Sequence, residues 1–181
     1  VQLANFISGH DTPSTSPWAL LRESQTAALA LKNTGQAITI DVGNPDDIHP
    51  TDKKTVGERL ARIALHKSYG KKKATFRGPV FHQVEHHKNQ LVLSFKVGEK
   101  LRVHNKDNVI KGFEVAGKDG QFKAVEGRLH NNQVILPLEN MGSATAVRYA
   151  WSDNPDAANL MDAAGLPAEP FRANLSLHDN P

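Results

Sequence analysis

A change of texture near residue 70 limits this chain more than any single motif in it. Residues 76 to 151 hold seven strand-like segments: FRGPVFHQVEH, QLVLSFKV, KLRVHN, VIKGFEVAG, QFKAVEGRL, QVILPL and ATAVRYAW. Turns such as KDGQ and HNNQ separate them, and no helical pattern interrupts them. That spacing belongs to an antiparallel sheet or sandwich. The first 70 residues instead alternate strand-like and helical stretches, which implies a parallel sheet with helices on its faces. The expectation is an α/β part over residues 1–75 and a β-rich part with a wrapping C-terminal tail over 76–181.

Within the first part, Val1 to Phe6 is an apolar, strand-like start. Ser16 followed by Pro17 is a good N-cap and first-turn pair. The helical segment they open, WALLRESQTAALALKNTG, is expected to end at Gly35 as its C′ glycine. AITIDV, residues 37–42, is a β-branched run short enough for a buried strand. The next helix, TDKKTVGERLARIALHKSYG, can be capped by Thr51 or Asp52 and closed by Gly70. Val56, Leu60 and Ile63 give it one apolar stripe. The final stretch is rich in Asn, Asp, Pro and Ala and reads as an ordered wrapping tail followed by a loose end.

Between AITIDV and that second helix lies GNPDDIHP, residues 43–50. Ligands of open α/β sheets gather where strands end and loops lead into helices. A histidine there acts as general base when a carboxylate fixes one ring nitrogen and the other faces the group to be deprotonated. Asp46 stands at D-x-x-H spacing from His49 and Asp47 at D-x-H spacing, so either acid can be the orienter. The competing reading is a helix-capping turn with an incidental histidine.

A nucleophile to match is harder to find. The chain has no G-x-S-x-G elbow, no G-D-S triplet and no cysteine. Ser8, with His10 and Asp11 beside it, is a loop residue rather than a triad, because triad members converge from separate loops. In HQVEHH, His82 and His86 are about 13 Å apart on a strand, too far for one metal ion. Trp18, Arg22 and Gln25 share a helix face, and Arg22 is expected to tie down a loop through backbone carbonyls. Asn174-Leu175-Ser176 fits a glycosylation acceptor, a triplet common by chance. The charge of +3 is only mildly basic. Lys53-Lys54 and Lys71-Lys72-Lys73 lack interleaved aromatics, which points to a solvated face rather than nucleic acid. No apolar run approaches a membrane span.

Five stretches carry a family resemblance: VQLANF, WALLRESQ, AITIDVGNPDDIHPTDKKTVGERLARIAL, GFEVAGKDGQF and AVRYAWSDNPDAANLMDAAGLPAEPFR. They resemble the C-terminal part of sialate O-acetylesterases, a branch of the SGNH-type hydrolases. The resemblance implies a flavodoxin-like hydrolase domain ending near residue 75, followed by an antiparallel β-sandwich-like domain. It implies hydrolysis of acetyl esters on sialic acid without metal or organic cofactor. His49 matches the family's catalytic histidine in D-I-H-P. The wider family pattern selects Asp46 as its partner, while this branch keeps the position of Asp47. The family's serine lies in an N-terminal block, so the expected partners are O-acetylated sialic acid, or a related acetylated sugar, and the N-terminal portion of the same protein. The chain opens on VQLANF without an initiator methionine, which agrees with a longer parent. A periplasmic or secreted location goes with the family. The rival reading is an accessory carbohydrate-binding β module, using Trp151 and Arg172.

Overall fold

The computed structural model describes residues 1–7, 9, 16–105, 107–139, 141 and 143–175. Among these there are two α-helices, α1 (Pro17–Ala27) and α2 (Lys53–Lys67). The strands are β1 (Val80–His87), β2 (Gln90–Lys96), β3 (Leu101–Val103), β4 (Val109–Ala116), β5 (Phe122–His130), β6 (Gln133–Pro137), β7 (Ala146–Tyr149), β8 (Leu160–Asp162) and β9 (Phe171–Asn174). The fold is mostly antiparallel β. Neither helix is long and apolar enough to cross a membrane.

Seven strands form one sheet in the order β1-β2-β6-β5-β4-β7-β9, and β3 pairs with β8 in a two-stranded ribbon. The division is thus one large sheet and one small ribbon rather than two sheets of comparable size. Every pairing is antiparallel. The large sheet curls until its two outer strands meet: Phe81 of β1 stacks on Phe171 of β9 with ring centroids 4.2 Å apart. Curling buries one face completely. Leu91, Leu93, Ile110, Phe113, Val115, Val134, Leu136, Val147 and Tyr149 are all at or below 1% exposure. Alternation sends neighbours such as Lys111 outward, while Val92, Ala116 and Arg148 are buried as well. Tyr149 could be buried because its hydroxyl accepts the Leu160 N–H at 2.9 Å.

The strand-like segments between residues 80 and 149 all become strands. Two strands in the tail, β8 and β9, were not expected. β8 adds to the short β3, and β9 adds to β7, whose own partner on the other side is β4. The loose end of the tail lies outside the described residues.

The first 50 residues depart further from expectation. Val1–Phe6 and residues 37–42 form no ladder. They run side by side with only a trace of parallel pairing: Gln2 donates its N–H to Ala37 O at 2.9 Å, and Thr39 Oγ1 donates to Gln2 O at 2.6 Å. Their burial comes from elsewhere. Ile38 and Ile40 belong to the same apolar core as the large sheet.

Both helices begin where the capping residues indicated. Ser16 Oγ accepts from Ala19 N, and Asp52 Oδ1 accepts from Thr55 N, each at 3.0 Å. α1, however, stops at Ala27 and passes through one 3-10 turn (Ala28–Ala30), well short of Gly35. Gly35 serves packing instead. A Cβ there would stand 2.4 Å from Ile63 Cγ2 on α2. Gly70 does close α2, with φ +69°, and Lys71 N–H reaches back to Leu65 O. The apolar stripe on α2 is less buried than its pattern suggests. Leu60 is 40% exposed, and the buried residue of the helix is Arg59.

Candidate active site

The corner between residues 42 and 52 is built by polar side chains reaching across the chain. Asn5 Oδ1 accepts the Gly43 N–H at 2.7 Å, and Asn5 Nδ2 donates to Asn154 Oδ1 at 2.8 Å. The fit is close, since a Cβ on Gly43 would lie 2.2 Å from both Asn5 oxygens. Ile7 N–H adds a bond to Pro45 O at 2.9 Å. Arg59, from the first half of α2, donates to Ile38 O and to both oxygens of Asp41. The turn is therefore clamped on the Val1–Phe6 side by Asn5 and on the helix side by Arg59.

Inside the turn, Asn44 Oδ1 accepts the Asp46 N–H, an Asx-type closure that leads the chain toward His49. Asp47 Oδ1 accepts two hydrogens from His49: the backbone N–H at 2.8 Å and ring Nδ1 at 3.1 Å. The backbone N–H first, and then the ring, hold the Asp47 carboxyl below the usual carboxylate range. A carboxylate on Nδ1 places the neutral ring's proton there and leaves Nε2 with its lone pair. Asp46 makes no side-chain contact with the ring among the described residues. The structure thus brings together His49 and Asp47, the D-x-H pair, and leaves Asp46 apart. The His49 side chain is 84% exposed, and the flanking Ile48 and Ile7 are 51% and 55% exposed.

Arg22 does what its helix position indicated. It is fully buried and donates to the carbonyls of Leu3, Ala4, Ser152 and Asp153. Gln25, on the same face, accepts the Leu3 N–H, and Trp18 packs on Phe6 at 5.4 Å. That face holds the Val1–Phe6 segment whose Asn5 grips Gly43. Trp151 is 5% exposed and sits under Arg172, whose guanidinium pairs with Glu23 of α1 through both Nε and NH2. These two residues join α1 to the large sheet and do not form an open glycan platform.

In HQVEHH a bulge falls at His82, between Phe81 and Gln83. Beyond it, Gln83, Glu85 and His87 form an outward row, with Glu85 bonded to both neighbours. No group of three metal-ligating side chains gathers among the described residues. Ser8, His10, Asp11 and Ser176 lie outside them. Asn5, Asn154, Asp41 and Arg59 escaped the sequence reading. Only Asp41 stood inside a stretch the motifs had singled out, as the penultimate residue of AITIDV, because each partnership joins residues far apart in the chain.

Against known proteins, rat (Rattus norvegicus) sialate O-acetylesterase is 33% identical over 195 residues, which cover 97% of this chain and 35% of that protein. The human (Homo sapiens) enzyme is 29% identical over 97% of this chain and 36% of its own length. The chain is homologous to the sialate O-acetylesterases. It spans about a third of the length of these curated relatives. No family profile matches it. Among solved structures, XAC1771, a carbohydrate acetylesterase from Xanthomonas citri, superposes with a TM-score of 0.89 at 44% identity, over 95% of this chain and 40% of that one. The curled antiparallel sheet with few helices is therefore an arrangement shared with a carbohydrate acetylesterase.

Proposed function

We propose that this chain is the C-terminal portion of a carbohydrate O-acetylesterase acting on O-acetylated sialic acid, and that it supplies the general base of the site. His49 is that base and Asp47 its orienting partner. The observation that carries the reading is the Asp47 Oδ1 to His49 Nδ1 contact at 3.1 Å, which leaves Nε2 directed away from the carboxylate. In this reading residues 1–75 complete an SGNH-type, flavodoxin-like hydrolase domain, and residues 76–181 form a β-sandwich-like companion.

The chemistry follows from the pair. Nε2 takes the proton of a serine hydroxyl supplied by the N-terminal portion as that oxygen attacks the acetyl carbonyl. The imidazolium then returns the proton to the departing sugar hydroxyl. Water repeats the cycle and releases acetate. Asp47 holds the tautomer throughout and steadies the charged ring. A carboxylate whose ionised form is favoured by a backbone N–H suits that role. The exposure of His49, Ile48 and Ile7 fits a corner that another part of the protein covers, since an esterase site excludes bulk water.

The test joins this chain to the serine-bearing portion and measures acetate released from O-acetylated sialic acid. His49→Ala is expected to lower kcat by about 100-fold or more. Unchanged turnover would overturn the assignment of the base.

A further inference from the structure

The far end of α2 carries a second concave feature. A cleft of about 540 Å³ opens between the 72–78 segment, which leads from α2 into β1, and the 96–99 turn after β2. His66 of α2 and Val80 of β1 complete its lining. About 20 Å of helix separates Asp52, beside the His49 corner, from His66, at 1.5 Å per residue. The cleft is thus outside reach of the esterase chemistry proposed above.

Its walls are fixed by contacts that do not involve a ligand. His66 Nδ1 bonds Ala74 O at 3.1 Å, and its ring lies 4.1 Å from that of Phe76. A carbonyl on Nδ1 leaves the neutral ring's Nε2 as an acceptor. Lys72 Nζ reaches His66 O at 3.3 Å. Arg77 at the base is neutralised by the buried Glu169, through bonds of 2.6 and 2.8 Å. Gly98 lies close to Thr75, with a Cβ placed 3.1 Å from Thr75 Cγ2. What remains is charge without a counterion. Lys73 lines one wall and Lys96 the other, and neither has a carboxylate partner among the described residues. Glu99 is the one acid in the lining. Phe76, Val80 and Val97 add an apolar floor.

We propose that this cleft is a noncatalytic subsite for a carboxylate-bearing sugar. Lys73 and Lys96 take the carboxylate, and Val80, Val97 and the part of Phe76 left open by His66 and Lys67 offer apolar surface to the pyranose. The anionic half of this inference rests on the cleft alone. The carbohydrate half rests on the esterase reading. A subsite of this kind holds an acidic glycan while the acetyl-bearing residue is treated elsewhere, so it acts on affinity for extended chains and leaves turnover of small esters untouched.

Nuclear magnetic resonance titration of this chain with 3′-sialyllactose, and with lactose as the neutral control, tests it. The expected result is saturable shifts at Lys73, Phe76 and Lys96 with sialyllactose, and binding weaker by at least about tenfold with lactose, a difference of one charge pair. Lys73→Glu combined with Lys96→Glu abolishes these shifts while an unchanged thermal melt reports an intact fold. Equal binding of lactose, no binding of either sugar, or binding that survives the charge reversal would each overturn the proposal. Shifts confined to residues 43–49 would do so too, and would leave the esterase reading standing.

Discussion

Arg59 closes on Asp41 with both terminal guanidinium nitrogens, NH1 to Oδ1 and NH2 to Oδ2, each at 2.6 Å. The same NH1 reaches Ile38 O at 2.7 Å. Residues 38 to 41 and α2 are locked together by this fork, and the turn that carries His49 is strung between them. Arg59 is almost fully buried while Asp41 keeps 30% of its side-chain surface. Arg59→Met is expected to cost roughly 2–3 kcal/mol, below the range for wholly buried pairs because Asp41 is partly solvated. Urea denaturation measures it. A loss under about 0.5 kcal/mol would place the pair among ordinary surface contacts.

Two glycines give opposite signs for the same substitution. Gly43→Ala drives a methyl into the Asn5 main-chain oxygen and into Oδ1, which cannot withdraw without losing its 2.7 Å bond to residue 43. A loss of about 1–3 kcal/mol follows from overpacking, together with shifted amide resonances from Asn44 to His49. Gly57, in the interior of α2, has nothing within 4 Å of a built Cβ. Gly57→Ala should gain roughly 0.5–1 kcal/mol from helix propensity. Thermal melts of the two variants moving in the same direction would contradict the close approach at Asn5.

The turn at Asp47 carries a pH signature. Its folded carboxyl titrates below the usual range, chiefly through the backbone N–H of His49 and secondarily through the ring. A depressed carboxylate stabilises the fold above its unfolded pKa, and that contribution disappears as pH falls through the folded value. His49→Ala keeps the backbone donor, so carbon-13 carboxyl titration should show Asp47 still depressed, only less so. A complete return to the ordinary carboxylate value would assign the effect to the ring.

Asp162 has the opposite sign. Its Oδ1 accepts from Ala164 N and Leu166 N, at 3.0 and 2.9 Å, while Oδ2 is buried without a partner. Burial raises its pKa, helped by Glu99 and opposed by those two amides and Arg62. The folded state then binds a proton more readily than the unfolded chain, so this residue costs stability as pH rises from its unfolded value through its folded one. Asp162→Asn retains an oxygen for both amides and removes that dependence. The stability of the original chain relative to Asp162→Asn should improve as pH is lowered from neutrality toward 4. Parallel stability curves for the two proteins would remove the buried charge from the account.

Local chemistry was readable wherever a residue satisfies its own neighbours. Ser16 and Asp52 cap because their oxygens meet amides three residues on. Among the β-branched and aromatic runs after residue 80, β1 with β2, β4 with β5 and β5 with β6 pair through turns a few residues long. The proximity of an acid to His49 follows from a two-residue spacing, and the choice of Asp47 over Asp46 needed the actual path of the turn. The strands β8 and β9 escaped notice because a three- or four-residue strand has too few alternating positions to stand out among Asn, Pro and Ala. They exist because β3 and β7 offer unpaired edges.

Sequence alone determined the helix starts, the strand-rich second half and a histidine placed two residues after an acid, since all of these depend on contacts within a few residues. Tertiary structure decided that residues 37–42 serve the sheet's core without joining a ladder, that Gly35 and Gly43 are packing positions, and that Asn5 and Arg59 hold the His49 corner. Those outcomes depend on which distant surfaces meet, and a contact between residue 5 and residue 154 leaves no periodicity along the chain to be read.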